Sequence, residues 1–295
     1  MRVLITGISG FIGRAVAARL AGYPNLKIIG TVRDDTTRVP AGVQRVLADF
    51  SDSGWIAELP GAVDVVIHLA QSKRYREFPS GSRDMVAVNI DATAALLEWA
   101  AKVGVQRFIF TSTGNVYRSS SAPLDEDASC DPGSMYAASK LCAELLVRQY
   151  ARLVEPCILR VFGVYGPGQT GMLIPNMIGR IIAGEEISLA QGIGLSLTPL
   201  HIRDCVEMVV RVIRAERCEA TTFNLCGNEI VSLGVIVKQL GLLLKREPRV
   251  RLSNDVPQCL LGDNARFIKQ FGYSPLVGLE EGLKQVVEEH LHANN

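Results

Sequence analysis

The feature that most constrains this 295-residue sequence is a regular alternation of short apolar strands and helical segments through its first half. Continuous apolar runs without a polar face are typical of strands buried on both sides, as in a parallel sheet. The pattern predicts an α/β fold, a Rossmann-type doubly wound parallel sheet whose ligands bind at the carboxyl ends of the strands. The predicted strands are residues 3–6, 26–32, 43–48, 63–69, 107–111 and 156–161, and the predicted helices are 11–21, 83–103 and 135–153.

The alternation changes after about residue 163, where helical segments dominate and Pro, Gly and Asn cluster between them. We interpret residues 1–162 as a dinucleotide-binding Rossmann domain. Residues 163–295 then form mainly a smaller α/β carboxyl-terminal substrate lobe, with some chain returning to the sheet. The predicted helices of this part are residues 172–183, 203–215, 232–245 and 279–291, and its predicted strands are 222–225 and 249–252.

Composition excludes several classes of protein. With 31 Lys and Arg against 30 Asp and Glu, the formal net charge is +1, and 48% of the residues are hydrophobic. A disordered chain or a basic nucleic-acid binder is disfavoured, and no apolar run reaches the roughly 20 residues that span a bilayer. We expect a cytoplasmic protein with a small-molecule substrate, and neither a nucleic-acid nor a membrane partner.

The seven cysteines include no Cys-x-x-Cys pair and no short spacing to histidine. Their number is odd, and most lie within helix or strand patterns. These observations predict buried, reduced thiols with neither a disulfide nor a metal site.

A glycine-rich turn follows the first strand and precedes the first helix. Gly7, Gly10 and Gly13 occur at three-residue spacing, which permits a tight turn and close approach of a ligand to the backbone. The N-terminus of the following helix offers unpaired N–H groups and positive dipole to a pyrophosphate. An ordinary turn is the simpler interpretation of glycines alone, but the strand–turn–helix context favours a dinucleotide site.

The end of the second strand bears on the choice of cofactor. Arg33 stands there, and an Arg at this position suits the 2′-phosphate of NADP, whereas an acidic residue binds the ribose of NAD. We therefore expect NADP in preference to NAD. Two alternatives stay open, because Asp34 or Asp35 could accept a ribose hydroxyl and Arg33 could be a solvated surface charge.

A tyrosine and a lysine lie one helical turn apart at the start of the helix 135–153. Tyr136 and Lys140 share one face at this spacing, and an ammonium group nearby favours the phenolate of a tyrosine. Tyr136 would then exchange a proton with a substrate hydroxyl while hydride moves to or from the cofactor. Thr113, at the end of the fifth strand, supplies a hydroxyl that would hold the substrate oxygen. A Tyr-x-x-x-Lys pair alone usually lies on a helix surface without a function. The pair indicates a catalytic site here because it follows the strand end that carries Thr113.

In order and type, these motifs resemble those of the extended short-chain dehydrogenase/reductase family, in its NAD(P)-dependent nucleotide-sugar epimerase/dehydratase branch. The segments that carry the resemblance are 6–13, 49–50, 68–70, 88–89, 108–117, 136–140 and 159–168, and the likeness extends from residue 1 to about 291. The resemblance implies a catalytic set of Thr113, Tyr136 and Lys140, with Lys140 also holding the nicotinamide ribose. It implies further cofactor contacts from the pyrophosphate turn (Gly7, Ser9, Gly10, Phe11, Ile12 and Gly13), from Asp49 and Phe50 at the adenine, from Leu69, Ala70 and Gln71 beside the nicotinamide, and from Asn89 near the active-site water network. It gives His68 no chemical role.

Departures from the family pattern bear on the reaction. Dehydratases of this family carry an acidic pair where this chain has Gly114 and Asn115, so 4,6-dehydration is not expected. Gly163 replaces an Asn that relatives use near the sugar diphosphate, and residues 197–198 lack the Arg that often grips it. Either the phosphate contacts are rebuilt or the substrate is not a usual UDP-sugar. The candidate substrate residues are Asn115, Arg180 and His201, with Arg203 as a further cation.

We therefore expect an epimerase or oxidoreductase acting at a carbon, C4 by preference, of a nucleotide-activated sugar. The alternatives are an NADPH-dependent 4-ketoreductase, a dihydroflavonol-reductase-like ketone reductase, or a non-catalytic NADP-sensing protein. By analogy with relatives, a homodimer would form through the helices 83–103 and 135–153, although their apolar positions could equally pack on their own sheet.

Overall fold

A computed structural model describes residues 1–52 and 54–293 of the chain. It contains two compact units, neither of them a single continuous segment. The first comprises Met1–Arg118, Ser129–Arg160 and Val206–Phe223, and the second comprises Ser119–Ala128, Val161–Cys205 and Asn224–Asn295. The assignment of cofactor binding to 1–162 and substrate binding to 163–295 stays a prediction.

A seven-stranded sheet organises the first unit, in the order β11-β6-β5-β4-β1-β2-β3. Strand β1 pairs in parallel with β2 and β4, β2 pairs in parallel with β3, and β4 with β5, so the predicted parallel sheet is confirmed. The strand from the late part of the chain, β11, joins this sheet at its edge. The strands are β1 (Arg2–Thr6), β2 (Lys27–Val32), β3 (Val43–Leu47), β4 (Val65–His68), β5 (Arg107–Thr113), β6 (Glu155–Val161) and β11 (Thr222–Leu225).

Helices α1 (Phe11–Ala21) and α4 (Met135–Gln149) begin where the sequence predicts. The Ser134 hydroxyl accepts a hydrogen bond from the N–H of Ala137 and so caps α4. The predicted helix 83–103 is interrupted: α2 (Ser82–Val86) and α3 (Ala92–Val103) flank a π-helical turn, Ala87–Asp91. π-Turns inside helices are rare, and those that occur often lie at functional sites.

The core of the first unit includes one buried ion pair. Glu144 on α4 and Arg160 on β6 are almost fully buried, and a carboxylate oxygen lies 2.7 Å from the Arg160 Nη2. The guanidinium also packs over the ring of Tyr117, 4.6 Å from its centroid. Because an unpaired charge at this depth would be costly, the pair fixes α4 against β6 in one register. The apolar part of this core includes Leu4, Leu96, Leu97, Phe108, Phe110, Val147 and Ile158.

The second unit is built from short strands and amphipathic helices around a separate apolar core. Several of its strands have only two or three residues and pair with partners distant in sequence, which is why the sequence did not reveal them. Gly184 ends α5 in the left-handed conformation, with φ +67°. Its elements are β7 (Val164–Tyr165), α5 (Leu173–Ala183), β8 (Ile187–Ala190), β9 (Leu195–Leu197), β10 (Leu200–His201), β12 (Val231–Ser232), α7 (Leu233–Leu244), β13 (Val250–Ser253), β14 (Gln258–Leu260), α8 (Ala265–Phe271) and α9 (Leu279–Ala293), while α6 (Ile202–Arg214) runs across the boundary of the units in sequence.

The prediction that the cysteines are buried is correct only for Cys157, Cys205 and Cys226. Cys142 is exposed on α4, and the other three are partly exposed; all seven are free thiols. Within residues 1–52 and 54–293, no three His, Cys, Asp or Glu side chains cluster as metal ligands. Over the same residues, every helix is too short or too polar to cross a bilayer.

Candidate active site

The glycine-rich turn joins β1 to α1 with no room for side chains at two of its positions. Gly7 has φ +67°, and a Cβ there would lie 2.7 Å from the Ala70 nitrogen. A Cβ on Gly13 would lie 2.3 Å from the Gly7 carbonyl oxygen. Gly10 precedes α1 in an extended conformation and has no side chain to cap the first N–H groups of the helix. This backbone cradle at a helix N-terminus fits the pyrophosphate of a dinucleotide.

We expect Gly13→Ala to weaken dinucleotide binding about tenfold or more, because relieving the clash with the Gly7 oxygen strains the turn by roughly 1–3 kcal/mol. Binding is measured by fluorescence titration with NADH and NADPH. Gly179→Ala is the matched control: it lies within helix α5, and its new Cβ would meet nothing within 4 Å. Equal loss of affinity in both variants, or none in Gly13→Ala, would contradict the assignment of this turn.

The predicted adenine side lies at the ends of β2 and β3. Asp49 is exposed, and its carboxylate accepts hydrogen bonds from the N–H and hydroxyl of Ser51. These bonds, aided by the charge of Arg33, hold the pKa of Asp49 below its usual value. Phe50 packs against Trp55 with ring centroids 4.4 Å apart. Arg33 itself is exposed just beyond the end of β2.

The phenol of Tyr136 lies among polar groups at the carboxyl ends of β4 and β5. Its hydroxyl donates a hydrogen bond to the Gln71 Oε1 at 3.0 Å and also interacts with the Thr113 hydroxyl. The ring of Tyr75 lies 5.3 Å from that of Tyr136, centroid to centroid. The structure therefore brings together the hydroxyl groups of Thr113 and Tyr136, with Gln71 beside them; the predicted place of Gln71 at the nicotinamide stays a prediction.

The electrostatics differ from the sequence expectation of an ammonium-stabilised phenolate. Protein groups alone raise the pKa of Tyr136 to about 12, mainly through burial and then through Tyr75, while the bond with Thr113 opposes the shift. Burial also lowers the pKa of Lys140 to about 7, against an opposing effect of Glu144. The Lys140 ammonium lies 4.2 Å from the centroid of the Phe110 ring. Desolvation dominates here because both groups lie in a low-dielectric environment.

Asn89 lies in the π-turn and is occupied by internal contacts. Its Oδ1 accepts from the Ser72 N–H at 2.8 Å, and its Nδ2 donates to the Ser139 hydroxyl at 2.9 Å. Ser139 in turn donates to the carbonyl of Tyr136. Asn89 thus ties the loop after β4 to α4, and its place near the cofactor stays a prediction.

His68 is fully buried and neutral. Its Nδ1 lies 2.6 Å from the Thr6 hydroxyl and its Nε2 lies 2.9 Å from that of Thr93. Thr93 donates its own proton to the Asn89 carbonyl, so the Nε2 carries the imidazole hydrogen. Burial and the charge of Lys140 lower the pKa of His68 to about 3. These contacts hold His68 at the end of β4, and its lack of a chemical role stays a prediction.

The three candidate substrate residues have different environments. Asn115 lies beside the site, where both its backbone N–H and its side-chain Nδ2 donate to the Thr113 hydroxyl. Arg180 instead donates to the Glu186 carbonyl and pairs with Glu185 at the end of its own helix.

His201 is 1% exposed and lines a cavity of about 210 Å³ within the second unit. Its Nδ1 accepts from the Arg203 N–H, and its buried Nε2 has no partner among the described residues. Because Nδ1 is the acceptor, Nε2 carries the hydrogen and is an unpaired donor; the role of His201 at a substrate stays a prediction. The side chain of Arg203 pairs with Glu281 at 3.8 Å.

Two residues of the site were missed by the sequence argument. Tyr75 has no motif around it, and only the fold places its ring against Tyr136. Ser112 lies in the Thr111–Thr113 run, and its buried hydroxyl has no partner among the described residues. Because buried hydroxyls are normally paired, the unpaired Ser112 oxygen marks this strand end as adapted to more than packing.

The profile of the NAD dependent epimerase/dehydratase family matches residues 3–226. The chain belongs to this family. A relative named as an uncharacterized UDP-glucose epimerase of Bacillus subtilis, YtcB, is 26% identical over 302 residues, covering 96% of each chain. The mouse dTDP-D-glucose 4,6-dehydratase is 29% identical and covers 97% of this chain and 88% of its own.

Solved structures agree with the family assignment. DesIV, the dTDP-glucose 4,6-dehydratase of Streptomyces venezuelae with NAD bound, has a TM-score of 0.86 and 27% identity, over 99% of this chain and 97% of its own. The UDP-glucuronic acid 4-epimerase of Bacillus cereus has a TM-score of 0.89 over 99% of this chain and all of its own; at 24% identity it supports the fold alone. The predicted family and the predicted α/β Rossmann-type fold are thus confirmed, and the protein is an extended short-chain dehydrogenase/reductase of the NAD-dependent epimerase/dehydratase group.

Proposed function

We propose that this protein transfers hydride at C4 of a nucleotide-activated sugar and acts as a 4-epimerase. The observation that carries the proposal is the cluster of Tyr136, Thr113 and Gln71, with the buried Lys140 one turn along the same helix. A phenol that can exchange a proton beside a hydroxyl that can hold the substrate oxygen suits oxidation of a secondary alcohol.

In the proposed reaction, the Thr113 hydroxyl orients the C4 oxygen and Tyr136 removes its proton. A bound dinucleotide supplies the hydride acceptor and a positive nicotinamide ring. Since the protein's own groups, Lys140 included, leave the pKa of Tyr136 raised to about 12, the positive charge of that ring is needed to favour the phenolate. Tyr136 then returns the proton when hydride is restored to the opposite face of the 4-keto sugar.

Dehydration is the less favoured reaction because of the groups beside Thr113. Gly114 offers no side chain, and Asn115 supplies an amide whose nitrogen donates to Thr113. Neither can act as the acid or base that elimination of water requires. A 4-ketoreductase is the second candidate, favoured by the exposed cation of Arg33 at the cofactor side.

The function is tested by incubating the purified protein with UDP-glucose, UDP-galactose, UDP-glucuronate and dTDP-glucose, each separately. We expect conversion of at least one of them to its 4-epimer without net consumption of cofactor. A 4-keto-6-deoxy product would show a dehydratase instead, and NADPH-dependent reduction of 4-keto sugars would show a ketoreductase. The absence of turnover in every assay would contradict all three.

The preference for NADP depends on Arg33 and stays a prediction, since the family is described by NAD and DesIV holds NAD. We expect Arg33→Ala to weaken NADPH binding about tenfold while leaving NADH binding unchanged, because a charge-assisted phosphate contact contributes roughly 1.5–3 kcal/mol. Titration of both cofactors against wild type and variant measures this. If the wild-type protein binds NADH as tightly as NADPH, the Arg33 side chain does not bind the 2′-phosphate.

A homodimer through α3 and α4 is part of the proposal. Leu145 on α4 is 55% exposed and follows the exposed Cys142 by one helical turn, which leaves apolar surface on that helix. We expect sedimentation to give a dimer and Leu145→Glu to give a monomer of the same fold. A wild-type monomer at micromolar concentration would contradict this assembly.

A further inference from the structure

Two cysteines meet within the first unit, away from the groups considered so far. Cys157 is the third residue of β6, and Cys218 lies in the connection between α6 and β11. Their thiols hydrogen-bond to each other, yet both are free. No cysteine motif links them in the sequence, because 61 positions separate 157 from 218.

Backbone and charged contacts hold the two thiols in place. The Cys218 N–H donates to the Glu155 Oε1 at 2.6 Å, and Glu155 shares one face of β6 with Cys157 because side chains alternate along a strand. Arg107 on β5 donates from its Nε to the other Glu155 oxygen at 2.7 Å. The Ile158 N–H donates to the Thr221 carbonyl at 2.7 Å, which joins the two segments again on the other side of the pair.

The two sulfurs differ in exposure and in acidity. Cys157 is fully buried, whereas Cys218 is partly exposed to solvent. The hydrogen bond from Cys157 and the charge of Arg107 lower the pKa of Cys218. Burial raises the pKa of Cys157 well above its usual value. An acidic, reachable thiol beside a buried partner is the arrangement in which one sulfur reacts and the other resolves.

We propose that Cys157 and Cys218 form an oxidisable dithiol, which a small hydroperoxide converts into a disulfide between β6 and the α6–β11 connection. The Cys218 thiolate attacks the peroxide oxygen, the O–O bond breaks, and water or an alcohol leaves, giving a sulfenic acid. The Cys157 sulfur then displaces hydroxide from that sulfenic acid, forming the S–S bond and releasing water. The two sulfurs lose two electrons, and the hydroperoxide gains them.

Cys218, which is partly exposed, is the sulfur of the pair that a small oxidant in solvent can reach. Arg107 and Glu155 also line a cavity of about 590 Å³ within the first unit, together with residues at the amino ends of the strands such as Met1, Val65 and Gln106. Tyr136, Thr113 and Gln71 lie at the opposite, carboxyl ends of the strands. The disulfide should therefore change stability and leave the turnover number within about twofold, because it cross-links the unfolded chain without touching the reacting groups.

The test treats the reduced full-length protein with hydrogen peroxide, followed by mapping of peptides under non-reducing conditions. We expect a Cys157–Cys218 cross-linked peptide pair, an intact mass lower by two hydrogens, and a thermal midpoint that rises and falls again on addition of dithiothreitol. In Cys218→Ser the cross-link should be lost. In Cys157→Ser, dimedone should trap a sulfenic acid at Cys218. The control Cys142→Ser, which removes the exposed thiol of α4, should cross-link as wild type does.

Two results would overturn the proposal. One is wild-type protein in which Cys218 oxidises to sulfinic acid while Cys157 stays reduced. The other is a cross-link that joins either cysteine to Cys130, Cys142 or Cys259 in preference to its partner. Because both are read on the wild-type chain, the proposal stays testable even if a serine variant fails to fold.

Discussion

Replacing Tyr136 by phenylalanine should lower turnover of the nucleotide sugar by roughly 10²–10⁴-fold, the usual contribution of a positioned acid–base group. The variant keeps the ring that packs 5.3 Å from Tyr75, centroid to centroid, and loses only the hydroxyl bonded to Gln71 and Thr113. The loss should therefore fall on kcat, with dinucleotide affinity unchanged. Initial rates with the substrate that turns over, alongside a fluorescence titration of the cofactor, measure both quantities.

Tyr75→Phe is the matched control, because it removes the neighbouring hydroxyl and leaves both rings. We expect it to retain most of the wild-type rate. Turnover of Tyr136→Phe within threefold of wild type would remove Tyr136 from the mechanism. Loss of turnover in both Tyr136→Phe and Tyr75→Phe would instead indicate that the two hydroxyl groups maintain the structure of the site.

Replacing Lys140 by methionine should abolish turnover and stabilise the protein stripped of its dinucleotide. Burial lowers the pKa of Lys140 to about 7 in the folded protein, against an ordinary value of 10.5. Between these two values the unfolded chain binds a proton that the folded chain does not, so stability rises with pH across that window. The full cost of burying the charged lysine is present below pH 7 and most of it remains at pH 7. Its removal in Lys140→Met should therefore raise the free energy of unfolding at pH 7 by on the order of 3 kcal/mol.

Urea unfolding between pH 7 and 8 tests this prediction. At higher pH, the buried thiols of Cys205 and Cys226, whose pKa is raised by burial from 9.0 to about 12, lower the stability as the unfolded chain loses their protons. The midpoint should rise with pH in the wild type and stay level in Lys140→Met. Tyr136, whose pKa is raised from 10.0 to about 12, weakens stability only above this range. Lys102→Met, at an exposed position of α3, is the control and should keep the wild-type slope. A slope that survives in Lys140→Met would mean that another group dominates the titration.

Much of the fold was predictable because its determinants are local. Apolar strands of the sheet are visible as runs, and the helix at 135 is marked by its Ser134 cap. The second unit was harder, since strands such as Leu200–His201 are specified by pairing partners far away in sequence. The π-turn at Ala87–Asp91 was also invisible, because its apolar spacing does not differ from that of a regular helix.

The sequence indicated which residues lie together at the candidate site, but it did not indicate their protonation states. Position in the fold follows from the strand–turn–helix order. The sequence therefore indicated that Gly7 follows β1, that Thr113 lies at the end of β5 and that Tyr136 lies at the start of α4, while their roles stay predictions. A pKa depends on burial and on every charged or polar group within several ångströms. The four-residue spacing of Tyr136 and Lys140 gives no information on either. The sequence therefore predicted a favoured phenolate at Tyr136, whereas burial raises the pKa of this residue.

The most direct test of the central claim follows deuterium placed at C4 of the nucleotide sugar that turns over. During epimerisation, we predict that the label moves to the dinucleotide released on denaturation and returns to C4 of the product. Tyr136→Phe should show neither transfer within the same time. Product that carries solvent hydrogen at C4, with no label ever recovered in the dinucleotide, would contradict hydride transfer at this site.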